Sequence, residues 1–277
     1  MGMQVRVYTG PNEAENLVLK AFYEGCPEPK KLVPLTDYQP SDVAVIMGTF
    51  KRYVPVSYHR GDVLFGQRDN GGLTIILETG YINRGAGPNH HYAAGFNGIN
   101  GRAFFNNKNS PSDRWLKLGI PIMPWRREGG HILLCGQVPW DASVDFINFQ
   151  EWTQKTAALL KTLSKREIVY RPHPLGFTDT PEGCVKSPHK LLSDDLKNCW
   201  AVVTFNSNSA VEAAIAGVPV VACDIGSMAL PVANALEEVE KPRTPDRTQW
   251  LNDLAYCQWT PEEMRSGETW QHLFRLT

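Results

Sequence analysis

The sequence predicts an α/β protein of two domains, with an α/β sandwich in the first half and a parallel, doubly wound sheet in the second. Short β-branched runs alternate with helical stretches along much of the chain. The 277 residues suffice for two modest domains. A segment at 119–130, with two prolines and a closing glycine pair, separates two such alternating patterns. The predicted domains therefore span 1–122 and 131–246, and the helical stretches within 247–277 are expected to pack back on the first domain.

The first domain opens with alternating apolar residues and then a helical pattern. Strands are predicted at 4–9, 42–48 and 73–78, and a helix at 12–25. Leu17, Ala21 and Phe22 are expected on one face of that helix, which Gly25 ends. Residues 79–112 then interrupt the alternation, since they are rich in Gly and Asn and carry aromatic residues throughout. A connection this long predicts an ordered, functional loop.

The second domain repeats the pattern with short connections. Strands are predicted at 131–137, 167–174, 199–206 and 219–224, and helices at 144–166, 191–198 and 209–217. This order is typical of a parallel sheet with helices on both faces.

Composition excludes several classes of protein. No apolar run approaches the ~18 residues of a membrane span, and the N-terminus shows neither a signal peptide nor a myristoylation motif. We therefore expect a cytoplasmic chain without membrane insertion. The six cysteines form no CxxC pair, which favours a reducing compartment and no structural zinc; Cys135, Cys199 and Cys223 are predicted to be buried. No GxGxxG follows the early strand, which argues against a nicotinamide dehydrogenase.

The charge is unevenly distributed. Residues 51–127 hold eleven basic and four acidic residues, although the whole chain has a net charge of −1. One interpretation is a solvated basic face. The other is a groove for a polyanion, such as nucleic acid.

The stretch TFNSNSAVEAAIAGVPVV at 204–221 carries the strongest functional signal. In open α/β sheets, ligands bind beyond the carboxyl ends of the strands, and the first turn of a helix attracts anions. Ser207, Asn208 and Ser209 add small polar side chains at such a point and predict a phosphate site. The alternative is a plain Ser N-cap. Glu212 either completes a capping box with Ser209 or binds a ribose diol.

Two further strand ends add to this site. Gly136 and Gln137 follow the apolar run HILLC, and His173 lies between two prolines after EIVYR. The prolines hold the backbone around His173, which predicts contact between its imidazole and a phosphate or base. Arg171 is expected to form a structural salt bridge.

These residues resemble the donor half of GT-B glycosyltransferases. The matching features are a strand ending in RPHP, then a strand, a Ser-rich turn, a short helix bearing Glu and GVPVV, all within 131–224. The resemblance is greatest to capsular-polysaccharide-type and phage-encoded enzymes, and the runs ETGYINR and FNGINGRA resemble the phage type. The resemblance implies two Rossmann-like domains facing each other across a cleft.

The resemblance also implies roles for individual residues and partners. The diphosphate of a nucleotide sugar, expected to be a UDP-sugar, contacts residues at three strand ends: Gly136, Gln137, His173, Ser207, Asn208 and Ser209. Glu212 then binds the ribose. The implied acceptor is a hydroxymethylated pyrimidine in phage DNA, which places the protein in the host cytoplasm.

Candidate residues for the acceptor come from the first domain. Glu78 follows the apolar strand LTIIL and is predicted to be the general base, with Asp69 and His91 as alternatives. Contacts with acceptor phosphates are predicted for Arg84, His90 and Arg102, and His91 is also expected among the acceptor-binding residues. Stacking on a base or sugar is predicted for Tyr81, Tyr92 and Phe96.

The predicted reaction is an inverting transfer without a cofactor or metal, since the chain contains no DxD sequence. Three alternatives remain: a polysaccharide glycosyltransferase, a nucleotide-sugar epimerase, which needs no macromolecular acceptor, and a non-catalytic nucleotide- or DNA-binding module.

Overall fold

The computed structural model describes residues 2–275, which form two compact units. Unit 1 comprises Met1–Trp115 and Leu251–Thr277, and unit 2 comprises Leu116–Trp250. The chain passes from unit 1 to unit 2 after Trp115, seven residues before the domain limit predicted at residue 122. It returns to unit 1 after Trp250, within the helix Thr248–Ala255.

The strands are β1 (Val5–Thr9), β2 (Lys30–Pro34), β3 (Val43–Met47), β4 (Leu73–Thr79), β5 (Tyr92–Phe96), β6 (His131–Cys135), β7 (Glu167–Arg171), β8 (Val185–Lys186), β9 (Cys199–Thr204), β10 (Val220–Ala222) and β11 (Gln258–Trp259). The α-helices are α1 (Glu13–Gly25), α2 (Tyr58–Asp69), α3 (Asp113–Leu118), α4 (Phe149–Leu163), α5 (Leu192–Asp195), α6 (Ser209–Ile215), α7 (Thr248–Ala255), α8 (Pro261–Arg265) and α9 (Glu268–Leu273).

Unit 1 contains a mixed sheet in the order β11-β5-β4-β3-β1-β2. The four strands from β4 to β2 are parallel, whereas β5 is antiparallel to both of its neighbours. Both faces are buried: Val43 and Val45 of β3 belong to the core that includes α1, and Ala44 and Ile46 to the core that includes α2. This burial on both faces explains why β3 reads as a continuous apolar run.

Two local predictions for unit 1 need correction. Leu17 is 65% exposed, because the buried face of α1 is formed instead by Val18, Leu19 and Phe22, with Ala21 beside them. The segment 79–112 is also not a continuous loop, since it contains β5, whose small residues gave no strand signal.

The C-terminal segment is part of unit 1. Strand β11 pairs with β5, and Trp259, Met264 and Trp270 join the core beside Phe22 of α1. The first sheet is therefore completed by residues from the far end of the chain.

Unit 2 contains a fully parallel sheet in the order β10-β9-β6-β7-β8. Its core joins Ile132 and Leu134 of β6 to Leu160 of α4. Helix α4 is shorter than the predicted 144–166 because Asn148 caps it, accepting a hydrogen bond from the amide of Glu151 at 3.1 Å.

The cysteines and the helices bear on the remaining predictions. Cys135 and Cys199 are buried as predicted, but Cys223 is exposed just after β10. Within residues 2–275, no helix has the length and apolar character needed to cross a membrane.

Candidate functional site

The candidate donor residues lie at one edge of the sheet in unit 2. Strand β6 pairs in parallel with both β9 and β7, so the carboxyl ends of these three strands are neighbours. The chain leaves this edge at Gly136, at Phe205 and at Pro172. The structure thereby brings together the three segments that the sequence predicted, at the edge where open α/β sheets bind ligands.

A buried amide network joins two of these strand ends. Gln137 donates from Nε2 to Asn206 Oδ1 at 2.8 Å, and its Oε1 accepts from the Asn206 amide at 3.0 Å. Asn206 Nδ2 donates to the Ser143 carbonyl and to Asp224 Oδ2, both at 2.8 Å. Both Gln137 and Asn206 are buried, and these bonds use both polar atoms of each amide. Gln137 is therefore a positioning residue, which corrects its predicted role as a diphosphate contact.

The Ser-rich turn is held by its own side chains. Thr204 Oγ1 accepts from the Ser207 amide at 3.0 Å, and Ser207 Oγ accepts from the Ser209 amide at 3.2 Å. The amides of Ala210 and Val211 donate to the carbonyls of Ser207 and Asn208. The first amides of α6 thus already have acceptors within the turn, so an anion here depends mainly on side chains.

The predicted capping box is not formed. The residue before α6 is Asn208, which makes no side-chain cap, and Asn208 Nδ2 instead donates to Glu212 Oε1 at 3.2 Å. Glu212 is exposed and points a carboxylate toward solvent from the first turn of the helix. Of the two predicted roles for Glu212, binding a ligand diol stays a prediction.

Ser209 faces the sheet. Its Oγ is enclosed by protein and lies against the Cys135 thiol. Burial raises the pKa of Cys135 to about 12, although the nearby hydroxyl of Ser209 acts in the opposite direction. Since the hydroxyl of Ser209 is enclosed, the prediction that it meets a diphosphate needs correction.

His173 has a defined orientation. Its Nδ1 accepts a hydrogen bond from the Leu175 amide at 3.1 Å, and its carbonyl accepts from the Gly176 amide at 2.8 Å. In the neutral ring the proton is therefore on Nε2, which is the donor that a phosphate requires. The ring is half-buried at the end of β7.

Arg171 is structural, as predicted. Its guanidinium forms an ion pair with the buried carboxylate of Asp195 and also donates to the carbonyls of His189 and Lys190.

Close packing explains two glycines at this edge. A Cβ on Gly136 would lie 2.6 Å from the Tyr170 hydroxyl, and one on Gly176 would lie 2.9 Å from the Gln137 carbonyl oxygen. Gly136 is thus required by packing, which leaves its predicted diphosphate contact untested. The loops after β6 and β7 touch each other at Gly176.

In unit 1, Glu78 lies near the carboxyl end of β4 and is half-buried. Its Oε1 accepts from the amide of Thr79 at 2.9 Å. The neighbouring loop is fixed by Gln258, whose Oε1 accepts from the amides of Tyr81 and Ile82 at 2.7 and 2.9 Å. Gln258 was missed by sequence reasoning, because it lies more than 170 residues from its partners and belongs to no motif.

Three predicted acceptor residues share this loop. Arg84 is exposed, while His90 and His91 contact Asn83, with ring nitrogens 3.2 Å from its carbonyl oxygen and 3.3 Å from its Nδ2. Asn83 itself has φ 51°, a left-handed conformation that Asn tolerates. Asp69, an alternative base, instead lies at the exposed end of α2 beside Arg68.

The aromatic acceptor predictions are wrong for buried rings. Tyr92 and Phe96 are 5% and 7% exposed and belong to the core of unit 1, and Tyr81 is 4% exposed. Burial excludes these rings from stacking on an acceptor. Arg102 lies on a separate exposed segment that follows β5. Strand β5 ends beside the amino-terminal end of β4, because Phe96 pairs with Ile75.

Among residues 2–275, no group of three or more His, Cys, Asp or Glu side chains has an arrangement that would hold a metal ion.

Comparison with known proteins identifies the fold. No protein-family model and no curated protein matches the sequence. Two solved structures from Thermosulfurimonas dismutans do match. One is KpsC, beta Kdo 2,7 transferase, at 16% identity and a TM-score of 0.57, covering 96% of this chain and 99% of that chain. The other is KpsC, beta Kdo 2,4 transferase, at 15% identity and a TM-score of 0.57, covering 93% of this chain and 90% of that chain. At these identities the likeness establishes the fold, which is the GT-B fold of two Rossmann-like units.

Proposed function

We propose that this protein is a glycosyltransferase that takes its sugar from a nucleotide-sugar donor. The observation that carries the proposal is that His173 follows β7, while Ser207 and Asn208 follow β9, and these are the two strands that flank β6 in the parallel sheet of unit 2. Each supplies a polar side chain at the edge where nucleotides bind in sheets of this type. The GT-B fold shared with two Kdo transferases supports the same conclusion.

In the proposed reaction, an acceptor hydroxyl oxygen attacks the anomeric carbon of the donor. The bond between that carbon and the phosphate oxygen breaks, and the phosphate leaves with the electron pair. Hydrogen bonds from the Nε2–H of His173 and the Ser207 hydroxyl stabilise the charge that develops on the leaving group. Glu78 accepts the proton of the acceptor hydroxyl. A single displacement of this kind inverts the anomeric configuration.

We propose that this transfer requires no metal, because the sequence lacks the DxD pattern and the leaving charge is met by side chains. EDTA should therefore leave the rate unchanged. A rate abolished by EDTA and restored by Mg²⁺ would refute this part.

Two acceptor classes compete. A hydroxymethylated pyrimidine in DNA is supported by the basic composition of residues 51–127. However, Arg60 and Arg114 of that region pair with Glu15 and Glu263, and Arg126 donates to backbone carbonyls. These arginines are used for structure, which reduces the charge available to a polyanion. The competing acceptor is a polysaccharide, and both matching structures carry the name of a Kdo transferase.

The test is a transfer assay with UDP-, GDP- and CMP-sugars, each offered hydroxymethylated duplex DNA, unmodified DNA, or an anionic oligosaccharide. Mass spectrometry of the acceptor detects the added sugar. We expect transfer from one donor to one acceptor class. Conversion of the donor sugar without any acceptor would indicate an epimerase, and binding of a donor without turnover would indicate a non-catalytic module.

A further inference from the structure

Two aromatic side chains near the candidate donor site are exposed to solvent and packed on each other. Trp140 lies in the loop after β6, and Phe177 lies in the loop after β7. Their ring centroids are 6.1 Å apart and the planes differ by 24°, so the rings are stacked. Trp140 is 38% exposed, and Phe177 is 89% exposed.

Both loops are anchored close to these rings. In the first, Gln137 donates to Ser143 Oγ at 3.4 Å, in addition to its bonds with Asn206. In the second, the Tyr170 and Thr178 hydroxyls are 2.5 Å apart, and the Asp179 amide donates to Gln150 Oε1 at 2.8 Å. Polar contacts thus hold the base of each loop and leave the two rings in solvent.

The two rings lie a few residues beyond the strand ends that carry the proposed anion contacts. Trp140 follows Gln137 by three residues, and Phe177 follows His173 by four, on loops that touch at Gly176. A ligand that combines an anion with a flat ring matches this arrangement. Stacking of a base on an exposed aromatic face is favourable, because both surfaces lose contact with water.

We propose that the pair formed by Trp140 and Phe177 is the platform on which the nucleobase of the donor stacks. The proposal rests on the proposed function, because the ligand is a nucleotide, but it assigns residues that the sequence motifs did not include. The solvent-facing side of Phe177 carries the base, and Trp140 supports the ring from behind. Because stacking accepts any base, selection among bases must come from other groups.

The test measures dissociation constants by isothermal titration calorimetry for UMP, CMP, AMP and GMP. Two matched ligands lack the base: ribose 5-phosphate and pyrophosphate. The proteins are the wild type, Phe177→Ala, Phe177→Trp and, as a control, Tyr53→Ala, which removes a 65% exposed aromatic residue from unit 1. Because Phe177 is so exposed, the alanine variant should fold, which circular dichroism verifies.

We expect Phe177→Ala to raise the dissociation constant of the bound nucleotide about tenfold and to leave that of the ligands without a base unchanged. Phe177→Trp should retain the affinity, and Tyr53→Ala should match the wild type.

Three results would overturn the proposal. A nucleotide affinity unchanged by Phe177→Ala would refute the platform and leave the donor site intact. Equal weakening of nucleotide, ribose 5-phosphate and pyrophosphate would show that the ring only maintains loop shape. Failure of the wild-type protein to bind any nucleotide would refute the proposed function and the platform together.

Discussion

Asn206 joins three other residues at the carboxyl edge of the sheet in unit 2: Gln137, Ser143 and Asp224. Asn206→Asp would replace the Nδ2 donor by a carboxylate oxygen, 2.8 Å from Asp224 Oδ2. Two buried hydrogen bonds would be lost and two carboxylates would be placed in contact. We expect the free energy of unfolding to fall by about 2–3 kcal/mol at pH 7.

Urea denaturation at several pH values measures this loss. The deficit should shrink as pH falls, because protonation of one carboxylate removes the repulsion. Asn89→Asp, on an exposed loop, is the control and should change stability by less than about 0.5 kcal/mol. A deficit that is independent of pH would show that contact with Asp224 is not its source.

Ser207 and Ser209 are neighbours in sequence with opposite orientations. Ser207→Ala should raise the dissociation constant of the donor by about 10- to 150-fold, since one hydrogen bond to a charged group contributes about 1.5–3 kcal/mol. Ser209→Ala should leave binding unchanged, because its Oγ is enclosed against Cys135. Calorimetry with the donor distinguishes the two variants. Equal effects would indicate that both alter the turn rather than the ligand contact.

Glu78 is the proposed base, and its amide variant separates chemistry from binding. Glu78→Gln should reduce the transfer rate by at least about a hundredfold, since positioned proton transfer contributes about 10²–10⁴. The dissociation constant of the donor should not change, because the proposed donor contacts His173 and Ser207 belong to unit 2, whereas Glu78 belongs to unit 1. Single-turnover kinetics with saturating donor measures the rate. Full activity of this variant would assign the base to another residue.

At the scale of elements, helix α9 contains His272, whose burial predicts that the stability of the protein depends on pH. The ring is buried in contact with Tyr256 and Trp259, and its Nε2 lies 3.1 Å from the Phe105 carbonyl oxygen. Burial, with further lowering by Arg275 and Arg114, reduces the pKa of His272 to about 4. The folded state thus binds fewer protons than the unfolded state between pH about 4 and 6.5.

Stability contributed by neutral His272 is therefore complete above pH 6.5 and is lost as pH falls toward 4. The loss approaches about 3 kcal/mol for a shift of this size. Chemical denaturation across this range measures the slope, and His272→Gln should flatten it. An equal slope in the variant would assign the acid sensitivity to other groups.

The elements also show what sequence patterns can predict. Strands β1, β3, β4, β6, β7, β9 and β10 were predictable, because continuous or alternating apolar runs mark strands buried in a sheet. Strand β5 has the sequence YAAGF and was missed, since Ala and Gly have low strand propensity and burial there is imposed by β4 and β11.

For the candidate site, the three segments were predictable from the sequence, but the directions of their side chains were not. Its three segments follow apolar strands, so their meeting at one sheet edge follows from parallel topology. Side-chain direction was not predictable: Ser209 turned inward and Tyr92 entered the core because neighbouring elements decide which face is buried. Trp140 and Phe177 belonged to no motif, and only the fold brings their loops together.

At the scale of the whole molecule, the GT-B fold and the proposed transferase function lead to one central prediction. Unit 2 should bind a nucleotide sugar. The most direct measurement is the melting temperature of the wild-type protein with UDP, GDP, CMP and their sugars. A ligand at one hundred times its dissociation constant stabilises the folded state by about 2.7 kcal/mol, which corresponds to a rise of several degrees. We predict such a rise with one nucleotide and its sugar. No rise with any of them would contradict the claim and leave the Ser-rich turn as a purely structural start to α6.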